Sequence, residues 1–167
     1  MRYLVDGYNL AHALGLIRGK VSPSGLAIIR KTLLQKLSEL PGADPSRITI
    51  VFDAQNLRNK IPEMEITQGF RLVFSMEREA DDVIEEMIEK EKTPSGLTVV
   101  SNDNRLRLAA RKGKCIPVSC LDFIEILMKK PASGKSSQLE GPEKPDGISP
   151  DEMKKWLDHF GVDDRGF

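Results

Sequence analysis

Residues 2–9 read Arg2-Tyr3-Leu4-Val5-Asp6-Gly7-Tyr8-Asn9. A short strand-like run ends on a carboxylate, and Gly7 then lets the backbone turn away at once. The pattern recurs. Ile48-Thr49-Ile50-Val51-Phe52 runs into Asp53, and Leu97-Thr98-Val99-Val100-Ser101 runs into Asn102-Asp103. Leu72-Val73-Phe74-Ser75 is soon followed by Glu79-Ala80-Asp81-Asp82. In a parallel sheet, residues that follow strands gather at the carboxyl edge, where ligands bind. Carboxylates meeting there repel one another unless a cation neutralises them, and hard divalent ions such as Mg²⁺ take oxygen ligands. The spacing therefore predicts a metal site of the kind that acts on phosphates.

Working outward, strands are expected near 2–6, 47–53, 70–75, 97–101 and 114–118, with a short extended piece at 64–67. The stretch from Gly7 to Gly25 reads as Gly-rich loop with a Ser22-Pro23-Ser24 turn. Helices are expected near 24–40, 79–92, 103–112 and 120–130. Leu26, Ile29, Leu33 and Leu37 recur at helical spacing, and Pro41-Gly42 stops that helix. Val83, Ile84, Met87 and Ile88 should face inward from the second. Strands alternating with helices imply an α/β fold with right-handed crossovers.

Composition changes at Pro131. Residues 131–148 are rich in Pro, Gly, Ser and Lys and read as a flexible linker. Ser149-Pro150 then reads as a helix start. Met153, Trp156, Leu157 and Phe160 form an apolar stripe over residues 149–161. So short a helix needs a surface to dock on, either its own domain, a second copy or a partner. The division predicted is a domain over 1–130, a linker over 131–148 and a docking helix over 149–161.

With 167 residues the chain can bury one sizeable core. No apolar run approaches the roughly 20 residues that span a membrane, and a strand-like start argues against a secretory signal, so a cytoplasmic protein is expected. Formal net charge is zero, which argues against bulk electrostatic binding of nucleic acid. The distribution is uneven: residues 1–130 carry 20 Lys+Arg and 17 Asp+Glu, residues 131–167 carry 5 and 8. Cys115 and Cys120 have no nearby ligand set and read as small apolar core residues. No Gly-rich phosphate loop is present, so a nucleotide cofactor is not expected.

Each acidic motif has two readings. Asp6 and Asn9 are a metal-site pair, with Asn9 reaching back to Asp6 or to a ligand, or an Asp-Gly turn with an Asn cap. Asp53 is a ligand or a loop cap. Acids are favoured in the first turn of a helix by its dipole, which explains one or two of Glu79, Asp81 and Asp82. It explains less well the eight acids from Glu77 to Glu91, set against only Arg78 and Lys90. Asp81 is the preferred ligand there, with Asp82 as a second candidate. Ser101 or Asn102 should cap the next helix while Asp103 points into the cleft. Arg105, Arg107 and Arg111, with Arg58 and Lys60 from the 54–63 loop, are candidates for the flanking phosphates of an anionic substrate or merely solvated charges. His12 and His159 have no catalytic company, so a histidine mechanism is poorly supported.

Taken in order, Val5-Asp6-Gly7-Tyr8-Asn9, Val51-Phe52-Asp53-Ala54, Glu79-Ala80-Asp81-Asp82 and Val100-Ser101-Asn102-Asp103-Asn104 resemble the YacP-like branch of the NYN domains, within the PIN-like nuclease superfamily. The resemblance covers about residues 1–130. It implies a three-layer fold with a five-stranded parallel sheet in the order 3-2-1-4-5, and Mg²⁺- or Mn²⁺-dependent cleavage of RNA, for some members close to translating ribosomes. It implies metal held by Asp6, Asp81 and Asp103, Asp53 as a further ligand, Asn9 as a helper and Asp82 as an extra neighbour. Some relatives carry another acid four residues after the Asp103 position, where this chain has Arg107. The expected function is a metal-dependent endoribonuclease. Two alternatives stay open: a non-catalytic RNA- or ribosome-binding module, and a phosphatase or small-nucleotide hydrolase.

Overall fold

The structure, a computed structural model, describes residues 1–54 and 62–129. The expected linker, the docking helix, Arg58 and Lys60 lie outside the described residues. Six strands form one sheet: β1 (Arg2–Asp6), β2 (Ile48–Phe52), β3 (Met64–Thr67), β4 (Phe70–Phe74), β5 (Leu97–Val100) and β6 (Ile116–Val118). Their spatial order is β3-β4-β2-β1-β5-β6. The five parallel strands keep the expected order, since β4, β2, β1, β5 and β6 are the strands read near 70, 47, 2, 97 and 114. The sixth is the piece at 64–67, which pairs antiparallel with β4 as an edge strand. A two-residue turn at Gln68 and Gly69, both at positive φ, closes that hairpin.

Among the described residues five α-helices cover the two faces: α1 (Gly7–Ala13), α2 (Pro23–Ser38), α3 (Ala80–Glu89), α4 (Asn104–Lys112) and α5 (Cys120–Met128). Strand alternation sorts the core into two layers. Val5, Ile50, Phe52, Leu72 and Phe74 pack with Leu10, Leu33, Leu34, Leu37 and Phe123 of α1, α2 and α5. Leu4, Val51 and Val99 pack with Ile84, Ile88, Leu106 and Ala110 of α3 and α4. Ser22 caps α2, its Oγ accepting from Gly25 N at 3.1 Å, and Pro23 begins the helix. Cys115 and Cys120 are free and buried, as expected. Among the described residues no helix is long and apolar enough to cross a membrane.

Two expectations are corrected. Residues 7–13 are helical, not loop. Asp6 caps this first helix, and Leu10, Ala11 and the following Leu14 are buried beneath it. The Gly-rich irregular stretch begins only at Gly15. The role of Gly7 also differs, because its φ is not positive. It is small because space is short: a Cβ there would stand 2.3 Å from Phe52 Cε1.

Candidate metal centre

Register places the site. Asp6 pairs with Val51, Val5 with Val100, and Val51 with Val73. The ends of β1, β2, β4 and β5 therefore share one edge. β1 and β5 flank the point where chain order reverses, which in open parallel sheets is where a crevice forms. A cleft of about 400 Å³ lies there, bordered by Asp6, Asn9, Asp53, Asp81 and Asp103, and by Tyr8, His12 and Glu79. Asp6, Asn9, Asp53, Asp81 and Asp103 are thus brought together. A groove beside β4 and α3 is larger, about 740 Å³, but none of these residues borders it.

Asp6 is the most enclosed of the acids, with 8% of its surface exposed. Its Oδ1 accepts from Asn9 N at 3.4 Å. Burial pushes its carboxyl from 3.8 up to about 7; the Asn9 N–H opposes this, and the charges of Asp81, Asp103 and Asp53 add to it. Asp81, in the first turn of α3, is also raised, by burial and then by the charge of Asp103, with Arg105 opposing. Asp103 itself caps α4, its Oδ1 accepting from Arg105 N at 2.8 Å. This corrects the expectation that Ser101 or Asn102 would do so. Ser101 Oγ accepts from Asp103 N at 3.0 Å, and Asn102 Oδ1 accepts from Cys120 N at 2.9 Å at the start of α5.

Asn9 acts differently from the expectation that its side chain reaches Asp6. Its Oδ1 accepts from Asn102 N at 2.9 Å and from the Cys120 thiol at 3.2 Å. One amide oxygen thereby fixes α1, the turn after β5 and the start of α5 relative to one another. Asn9→Ala should cost about 0.5–1.5 kcal/mol, the usual net worth of a hydrogen bond whose exposed donor can turn to water. Thermal unfolding in EDTA checks this, and an unchanged midpoint would remove the positioning role.

Asp82 and Arg105 point elsewhere. Arg105 donates to Asp82 Oδ1 and Glu85 Oε1, each at 2.7 Å, and lies 3.8 Å from Glu79. Asp82 does not border the cleft. Arg107 is half-buried, and its Nε is buried without a hydrogen-bond partner among the described residues. Arg111 is exposed near the end of α4. The pairing of Tyr8 with Arg30 is absent from the sequence-based expectations. Arg30 donates to the Tyr8 hydroxyl at 3.0 Å across 22 positions, and no local pattern announces such a pair.

Among the described residues no group of three or more His, Cys, Asp or Glu stands close enough to hold an ion as placed. The chemistry of the donor set nevertheless fits a divalent cation. The donors are all oxygens, they converge from four segments, and mutual repulsion helps to hold two of them toward protonation. Asp6, Asp81 and Asp103, with Asp53, are the residues that would hold it.

A mostly parallel α/β sheet with an acidic cleft at its switch point defines the broad class: a fold with a candidate site for cation-assisted phosphate chemistry. The sequence matches the family model of the YacP-like NYN domain over residues 3–159. The chain therefore belongs to the YacP-like NYN family of PIN-like nucleases, with a nuclease-type role directed at RNA. The match runs past residue 130, where the resemblance read from the sequence stops. Two crystal structures of Rae1 (YacP) from Bacillus subtilis share the fold. One has 23% identity and a TM-score of 0.58, covering 76% of this chain and 75% of that one. The other, a point mutant, has 24% identity and a TM-score of 0.55, covering 76% of each. Comparison with curated proteins gives no match.

Proposed function

We propose that this protein is a metal-dependent endoribonuclease of the cytoplasm. The observation that carries the reading is the convergence of Asp6, Asp53, Asp81 and Asp103 on one cleft at the sheet's switch point. Asp6, Asp81 and Asp103 would hold Mg²⁺ or Mn²⁺, with Asp53 as a further ligand or a group behind the ligands. When bound, such an ion supplies charge stabilisation at a phosphodiester and a more acidic water. The chain's own residues shape the rest. Capping bonds hold Asp6 and Asp103 in place, and Asn9 locks the segments that carry them. Asp6, held near neutrality, can keep or release a proton at its carboxyl. No protein nucleophile is needed in this reading.

RNA would lie along α4, with Arg107 and Arg111 near its phosphates. Arg105 would mainly order Asp82 and Glu85. Replacing Arg107 and Arg111 by Ala should weaken RNA binding and lower the salt slope by about 0.7 per lost phosphate contact on a single strand. An unchanged slope would make them a solvated helix face. The nuclease unit is taken as residues 1–130, with 149–161 as a docking element. Ribosome-associated mRNA decay is the setting the family resemblance suggests.

The test is incubation of the purified chain with single-stranded and structured RNA, free or presented on ribosomes, in Mg²⁺, Mn²⁺ or EDTA. Internal cuts that need the metal and leave 5′-phosphate and 3′-hydroxyl ends are expected. Metal-independent cuts leaving 2′,3′-cyclic phosphates would contradict the reading. The spacing of the acids favours one second reading, a binding module on the same fold. RNA binding without cleavage under all these conditions would establish it. Hydrolysis of mononucleotides alone would point to a small-nucleotide hydrolase.

A further inference from the structure

We propose that Arg30 and Tyr8 form a phosphate clamp on the rim of the acidic cleft, holding an RNA phosphate that flanks the scissile one. This rests on the RNA-cleaving reading above. An acidic cleft repels a polyanion, so a substrate strand needs cationic support next to it. Four other arginines are already paired with carboxylates. Arg2 pairs with Glu91, Arg47 with Asp44, Arg78 with Glu86, and Arg105 with Asp82 and Glu85. Arg30 is held in another way. Its guanidinium donates to the Tyr8 hydroxyl at 3.0 Å and stands 5.5 Å from the Phe74 ring centre and 6.0 Å from that of Phe52.

That arrangement orients a cation without cancelling its charge. The rings support the flat face of the guanidinium. Its planar fork of five N–H donors suits bidentate binding of phosphate oxygens, and the Tyr8 bond uses only one of them. Tyr8 is fixed in turn, its ring 5.1 Å from Phe52, which stacks on Phe74 at 6.1 Å. Tyr8 borders the cleft directly. Through the bond to its hydroxyl, Tyr8 links the Arg30 guanidinium to that border. A phenol that accepts from Arg30 keeps its own O–H to donate to the same anion.

The experiment uses the full chain and a fluorescently labelled 12-nucleotide single-stranded RNA. Binding is followed by anisotropy against salt in an Asp103→Asn background with Mg²⁺, and cleavage is followed in the otherwise unaltered chain. Arg30→Ala should weaken binding about tenfold, flatten the salt slope by about 0.7, and raise KM while sparing kcat. Arg30→Lys should keep most of the slope but lose affinity, because the ammonium lacks the fork. Tyr8→Phe should lose affinity with the slope unchanged. Lys31→Ala, one position away and exposed, should change little. Equal effects of Arg30→Ala and Lys31→Ala, or no effect of Arg30→Lys and Tyr8→Phe, would overturn the clamp. If the unaltered chain neither binds nor cleaves RNA, the nuclease reading fails first. If it does both and the Arg30 variants match it, only the clamp fails.

Discussion

Asp6→Asn will abolish RNA cleavage, by on the order of 10³-fold or more, and will make the metal-free protein more stable at pH 8. The loss follows because the central oxygen ligand of the proposed ion site is weakened where charge must be stabilised. The gain follows from burial. Asp6 has a folded pKa of about 7 against 3.8 for the free group. Between these values the folded state keeps a proton that the unfolded chain releases. Stability of the metal-free protein therefore falls as pH rises through this window and stays lower above it. The full difference is on the order of 4 kcal/mol. Asn carries no charge to bury and caps a helix as well as Asp, so the bond from Asn9 N survives. In EDTA the variant should melt higher than the unaltered chain at pH 8 and at about the same temperature near pH 4. A lower melting temperature at pH 8 would mean that Asp6 serves the fold and not a cation.

Gly7→Ala will cost more than any other single methyl group near the site. The added carbon would lie 2.3 and 2.5 Å from two atoms of the Phe52 ring and 2.9 Å from Ile50 Cγ2. Phe52 is fully buried and wedged between Tyr8 and Phe74, so it has nowhere to turn. Alanine is the better helix former by about 1 kcal/mol. Overpacking of a filled core typically costs 1–3 kcal/mol and occasionally more. The clash wins, and a net loss of at least about 2 kcal/mol is expected, a fall of several degrees in melting temperature. A change within 1 °C would show that α1 slides away from β2 easily. The same shift would move Tyr8 and Asn9, so cleavage should fall with stability.

Strands and acids were legible because both obey local rules. Strand-like runs ending on Asp6 and Asp53, and the cluster Glu79 to Asp82, need only parallel pairing to meet at one edge. The first helix was not legible from its glycines. Gly7 suggested a turn, yet Asp6 as cap with Leu10, Ala11 and Leu14 below was a helix signal already present. Asn9 was singled out for its chemistry, but what its side chain joins depends on residues about a hundred positions away, Asn102 and Cys120. Arg105 and Asp82 looked like two separate functional candidates. Helix packing turns them toward each other, and nothing in either local sequence contains that distance. The link between Arg30 and Tyr8 is not legible locally, because rings brought together from β2 and β4 create its setting.

The central claim is that these carboxylates converge to hold a divalent ion. Calorimetric titration of Mn²⁺ into the unaltered chain and into Asp103→Asn, at pH 7 in two buffers of different ionisation enthalpy, tests it most directly. The unaltered chain should bind Mn²⁺ and release a fraction of a proton, since Asp6 is partly protonated there and must give up its proton to a metal. Asp103→Asn should bind at least about tenfold more weakly. Equal affinity in both proteins, or binding in neither, would contradict the account.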